Sequence, residues 1–150
     1  MSRFARRVMP AIMEPGQIPE PWPHAHSLGK VMNGAIVIRW GAPVPGREAK
    51  GLDVFGNAVL RFEEHLKAGR IHSHREYFSL TGKDDGFMIV EGDTAELLAI
   101  VGEDDTVRLN AQAAAIVQDF EIQVYGGGDD QAVQSMIGTY AAGMQELGYL

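Results

Sequence analysis

A chain of 150 residues with 45% hydrophobic and 22% charged residues can bury one core and is too apolar to stay disordered. Its net charge of -7 excludes the basic face that nucleic acid or an anionic membrane surface would need, so neither is expected as a partner. With no cysteine there is no disulfide framework, thiol nucleophile or thiolate metal site, which suits the cytoplasm, and no apolar run approaches the ~20 residues of a bilayer span.

Residues 1–31 read as an extended arm, because Pro10, Pro15, Pro19, Pro21 and Pro23 recur too densely for a helix or a central strand. Arg3, Arg6 and Arg7 precede apolar residues, but Pro10 and Glu14 cut that run too short for an export signal. Met9, Met13 and Met32 are alternative starts. The arm is expected to drape over the surface, with Trp22 available to pack on a neighbouring subunit. The folded domain is expected over residues 32–150.

Gly34 to Trp40 is apolar at nearly every position and rich in β-branched residues, the pattern of a central strand. Arg39 interrupts it, and an arginine in such a strand asks for a buried carboxylate, Glu121 being the candidate. After the GAPVPG loop, Leu52, Phe55, Val59, Phe62 and Leu66 fall at spacings of three and four, one helical stripe over about 47–67. Gly69 follows as its left-handed stop. Gly51 and Gly56 inside the helix imply close packing on the sheet, and His65, beside the stripe, reads as a surface residue or a partner of the helix end.

The next segment, RIHSHREYFSL, reads as an edge strand with His72, His74 and Glu76 on one face at a period of two. TGKDDG is a turn, and Gly86 to Glu91 is a second apolar, central strand. Asp93 with Glu96 resembles a capping box for a helix through Ile100, and Asp104 or Asp105 can cap another over 106–117. Phe120 to Tyr125 alternates as a half-buried strand, and Asp129 or Asp130 opens a last helix striped by Val133, Met136, Ile137, Tyr140, Met144 and Leu147. GGGDD before that helix lacks the lysine and hydroxyl of a phosphate loop.

These elements give βαββαβ plus a C-terminal helix: an α+β, ferredoxin-like antiparallel sheet in spatial order 4-1-3-2, with helices on one face and the other face needing cover. Gly34 to Trp40, GRIHSHREYFSL (69–80) and GFMIVEGD (86–93) also carry a resemblance to the dimeric α+β barrel superfamily, near the small bacterial YCII-like proteins. That resemblance, spanning about 32–128, implies a homodimer with open sheet faces together and a small pocket near each sheet. Members include haem-degrading and polyketide-type monooxygenases and chlorite dismutase-like enzymes. The histidine–aspartate dyad of YCII-like proteins has no match, since the GAPVPGRE loop lacks histidine, so no activity is carried over.

Three readings of function follow. One is a homodimer binding a small molecule between sheet and helices, without a cofactor. Another is a cofactor-independent or metal-assisted enzyme in which His72, His74 and Glu76 move protons and Arg39 meets an anionic group. A structural or regulatory subunit assembled through the arm and last helix is a third. The two histidines and the glutamate could also lean on a divalent ion, but edge-strand polarity explains them more simply, and no metal is expected. Trp40, Tyr77 and Tyr125 are core or interface aromatics that could line a pocket.

Overall fold

The computed structural model describes residues 32–150; the arm expected over 1–31, Trp22 included, lies outside the described residues. The elements run β1 (Asn33–Trp40), α1 (Glu48–Lys67), β2 (Ser73–Phe78), β3 (Gly86–Asp93), α2 (Thr94–Gly102), α3 (Asp104–Ile116), β4 (Glu121–Gly126) and α4 (Asp130–Glu146). The four strands form one antiparallel sheet ordered β2-β3-β1-β4. This is the expected ferredoxin-like topology: the apolar strands β1 and β3 are central, and β2 and β4 are the edges.

Alternation sorts the sheet into two faces. Ile36 and Ile38 of β1 and Met88 and Val90 of β3 turn to the helices and are buried with Phe62, Ile71, Leu97 and Ile100. Ala35, Val37, Arg39, Phe87, Ile89 and Glu91 turn to the other, open face. Burying four such aliphatic side chains contributes about 1.5–3 kcal/mol each, enough to fix the register, since a one-residue slip would expose all of them.

The capping expectations hold in part. Asp93 Oδ1 accepts from Ala95 N–H at 2.8 Å and Asp129 Oδ1 from Ala132 N–H at 2.8 Å. Hydrogen bonds from Ala132 and from the Asn33 amide hold the Asp129 carboxyl below its ordinary pKa. α3 instead begins after Glu103 with no side-chain cap, so neither Asp104 nor Asp105 caps it. Glu96 does not close a capping box either, because its carboxylate takes Arg70 Nε–H at 2.6 Å. Gly69 adopts φ 73°, the left-handed stop expected after α1.

The glycines inside α1 do not meet the sheet as expected. A Cβ on Gly51 would lie 3.2 Å from Ile116 of α3, whereas one on Gly56 would meet nothing. At Gly86 the demand is strict: a Cβ there would come within 2.6 Å of the Trp40 ring, so the missing side chain lets that indole lie across β3.

Candidate functional site

The loop after β1 and the connection before β4 are tied together, which opens a cavity beneath them. Gly41 N–H donates to Gln118 O and Val44 N–H to Ile116 O, both at 2.7 Å, while Gln118 N–H returns to Ala42 O at 2.9 Å. Pro43 bridges Val117 within this short antiparallel zip. The zip holds the loop against the end of α3, and between it, α1, α3 and the sheet lies a cavity of about 570 Å³. That volume is in the range of small-molecule sites.

Aromatic rings form one wall. Trp40, Phe55 and Phe78 meet edge to face, with centroids 5.7 Å (Trp40–Phe55), 5.9 Å (Trp40–Phe78) and 5.2 Å (Phe55–Phe78) apart. Ile38, Met88 and Phe120 line the sheet side, Ala113 and Ile116 the α3 side. Leu52, expected within the helical stripe, is largely exposed and stands at the cavity's rim. Polar groups are few: the Asn110 amide, Ser79, and the charges of Lys83, Glu48, Asp84 and Asp85. One lysine against three carboxylates leaves the surround acidic, which disfavours an anionic occupant.

The residues singled out in the sequence do not converge on this cavity; His72, His74, Glu76 and Arg39 are all absent from its lining. His74 and Glu76 do come together on the helix-facing side of β2. His74 Nδ1 lies 2.5 Å from Glu76 Oε1, and its Nε2 lies 2.8 Å from Glu63 Oε2 of α1. The His74 side chain is 10% exposed. Burial opposes its protonation, but the hydrogen bonds it donates to Glu63 and Glu76 outweigh it and hold the imidazole pKa above the ordinary value. His72 precedes the strand and is exposed; its backbone N–H, not its ring, is engaged, donating to Glu91 O at 2.8 Å.

Arg39 corrects a second expectation. It is exposed on the open face, directly opposite Glu121 in register, yet makes no ion pair among the described residues. Glu121 instead accepts from the Gln123 amide. Exposure explains the difference, because a solvated guanidinium has no need of a buried carboxylate. Arg39 and Glu121 border a second depression, of about 800 Å³, that adjoins the cavity at Trp40, Phe78 and Lys83 and extends past Phe87 to the open face. Tyr77 and Phe87 stack there at 4.9 Å, and Tyr125 lies on the same face, so of the three strand aromatics only Trp40 reaches the cavity.

His65 is not a surface residue. It is 4% exposed, under an ion network in which Arg70 holds Glu96 and Glu103 while Arg61 holds Glu64 and, at 2.8 Å, Asp105. Arg70 can only donate, so His65 Nδ1, 3.3 Å from its Nη1, is the acceptor and Nε2 carries the hydrogen. Burial and the two guanidinium groups push its pKa down. Hydrogen bonds to Glu103 and Glu96 raise that of Arg70, and the same contact lowers Glu103. No group of three or more His, Asp or Glu among the described residues is placed to hold a metal ion, and no described helix is long and apolar enough to cross a membrane.

The chain matches no protein-family model and no curated protein. Among solved structures it is similar to a conserved protein from Methanosarcina mazei, with TM-score 0.51 and 16% identity over 63% of this chain and 92% of that one. It is likewise similar to a protein of unknown function from Nitrosomonas europaea, with TM-score 0.50 and 17% identity over 66% and 92% of the two chains. These likenesses show a shared fold. A cofactor-independent oxygenase from Streptomyces nogalater is similar at TM-score 0.49 and 14% identity over 65% and 95%, a level that bears on neither activity nor substrate.

Proposed function

We propose that this protein is a homodimer that binds a small, uncharged, ring-bearing molecule between sheet and helices. The observation that carries the reading is the cavity of about 570 Å³ walled by Trp40, Phe55 and Phe78. Edge-to-face aromatic walls suit a planar apolar ligand, the Asn110 amide can orient one polar group on it, and the acidic surround repels anions. The homodimer is supported by the open face. Its rows across the strands are Tyr77–Phe87–Arg39–Glu121, Arg75–Ile89–Val37–Gln123 and Ser73–Glu91–Ala35–Tyr125. Two arginines balance two glutamates there, none ion-paired within the described residues, as a self-complementary surface requires. Kinship with YCII-like proteins and residence in a bacterial cytoplasm belong to this reading and rest on the sequence runs and the lack of cysteine.

Thermal unfolding against a panel of neutral bicyclic aromatics tests it. A binder should raise the melting temperature in proportion to the logarithm of its concentration above Kd, and Ala113→Leu, which intrudes on the cavity from the α3 side, should remove the effect. A panel without response in the wild type would sink the reading.

A second reading, an acid–base enzyme, is favoured by the His74 environment. His74 paired to Glu63 and Glu76 is a proton-transfer unit, with His72 and Arg39 acting apart from it.

A further inference from the structure

Among the described residues α4 has few partners, Met136 and Val133 lying near Gly126 and Gly127 at the end of β4. Of its 17 residues only Ala132 is buried, while Ile137 is 61% and Tyr140 69% exposed. Between Asp130 and Glu146 no residue is charged, whereas a helix meant for water carries charge on its outer face. A helix of this length with Gly138 and Gly143 inside it is marginal alone, so its order calls for a covering surface.

The spacing says what kind of surface. Val133, Ile137, Tyr140, Met144 and Leu147 follow at steps of four, three, four and three, the 3.5-residue repeat of a helix that packs on another helix. The lack of charge excludes a partner recognised electrostatically. Two copies carrying -7 each can meet only through surfaces without unbalanced charge, and α4 and the open sheet face are such surfaces. Size points the same way. The open face, four strands wide at ~4.8 Å and about 20 Å long, offers a footprint on the order of 400 Å², about half the ~800 Å² per partner of a stable interface. A further contact region is therefore needed, and a seam along a helix about 25 Å long is of a size to supply one.

We propose that α4 is a dimer clasp whose apolar seam packs against the same seam of α4 in a second copy. This rests on the homodimer reading and specifies how that dimer is held.

Hydrogen exchange of the full chain, followed through dilution alongside sedimentation, tests it. Amides of residues 133–147 should be protected where the chain is dimeric and lose protection in step with dissociation. Ile137→Asp should weaken dimerisation about tenfold or more, with β1 and β3 amides still protected as evidence of an intact fold. A wild type that is monomeric at micromolar concentration would remove the homodimer and the clasp together. A dimer whose α4 exchanges freely, or one that Ile137→Asp leaves as tight, would overturn the clasp alone. Protection of α4 that does not change with dilution would also overturn it, since the seam would then be covered by its own chain.

Discussion

Glu63 Oε2 lies 2.8 Å from His74 Nε2, so a carboxylate of α1 and another of β2, Glu76, grip the two nitrogens of one imidazole. Both contacts are good hydrogen bonds only when both nitrogens carry hydrogen, so the cluster favours the imidazolium and ties the helix to the edge strand.

The tie should therefore depend on pH. His74 has a raised folded pKa, so its stabilisation is fully present below the unfolded value of about 6.5 and is lost as pH rises through the folded value. Denaturant unfolding should show His74→Gln costing about 1–3 kcal/mol at pH 6 and clearly less at pH 9. Equal costs at the two pH values would mean that the imidazole is not held protonated.

His65 should show the opposite slope. Its folded pKa is lowered, so its stabilisation is present above about pH 6.5 and fades as pH falls toward the folded value. Between pH 6.5 and 5 the wild type should lose more stability than His65→Phe. Parallel curves for the two proteins would contradict the buried neutral imidazole.

Gly86→Ala should disturb the cavity wall without touching its polar groups. The new Cβ would lie 2.5 Å from Tyr77 O and 2.6 Å from the Trp40 ring, so the indole must move. A loss of about 1–3 kcal/mol is expected, with altered Trp40 fluorescence. Unchanged emission and stability would show that the ring does not lie across β3.

The balance of charge on the open face should govern association. Arg39→Glu turns two arginines and two glutamates into one and three, and sedimentation should find a weaker dimer, whereas Lys50→Glu, at an exposed position of α1, should change little. Equal weakening by the two variants would indicate a net-charge effect and not a surface-specific one.

Much of the fold was legible because β1 and β3 are apolar at nearly every position and α1 carries a clean stripe through Phe55, Val59 and Phe62. Facing was harder to read. His74 and Arg39 sit on opposite sides of the sheet, and that relation depends on strand register, which neither strand states alone. Glu63 escaped notice because its partner lies across a helix end, a turn and the start of a strand. His65 was misplaced because the arginines and acids that cover it come from α1, α2, α3 and the α1–β2 connection. The stripe on α4 was visible, but amphipathicity alone does not reveal that most of its apolar side, Ile137 and Tyr140 included, is left exposed by the described residues. The cavity depends on the zip of the loop at Pro43 to Val117, a long-range contact with no local motif.

The central claim, an apolar ligand held against Trp40, is most directly tested by that residue's own fluorescence. Trp40 is the only tryptophan left in a Trp22→Phe chain. Titrating that variant with N-phenyl-1-naphthylamine, a neutral aromatic that accepts energy from tryptophan, should quench Trp40 saturably with one molecule per chain, and Ala113→Leu should abolish the quenching. Non-saturable quenching, or saturable quenching that Ala113→Leu leaves intact, would contradict binding in the cavity.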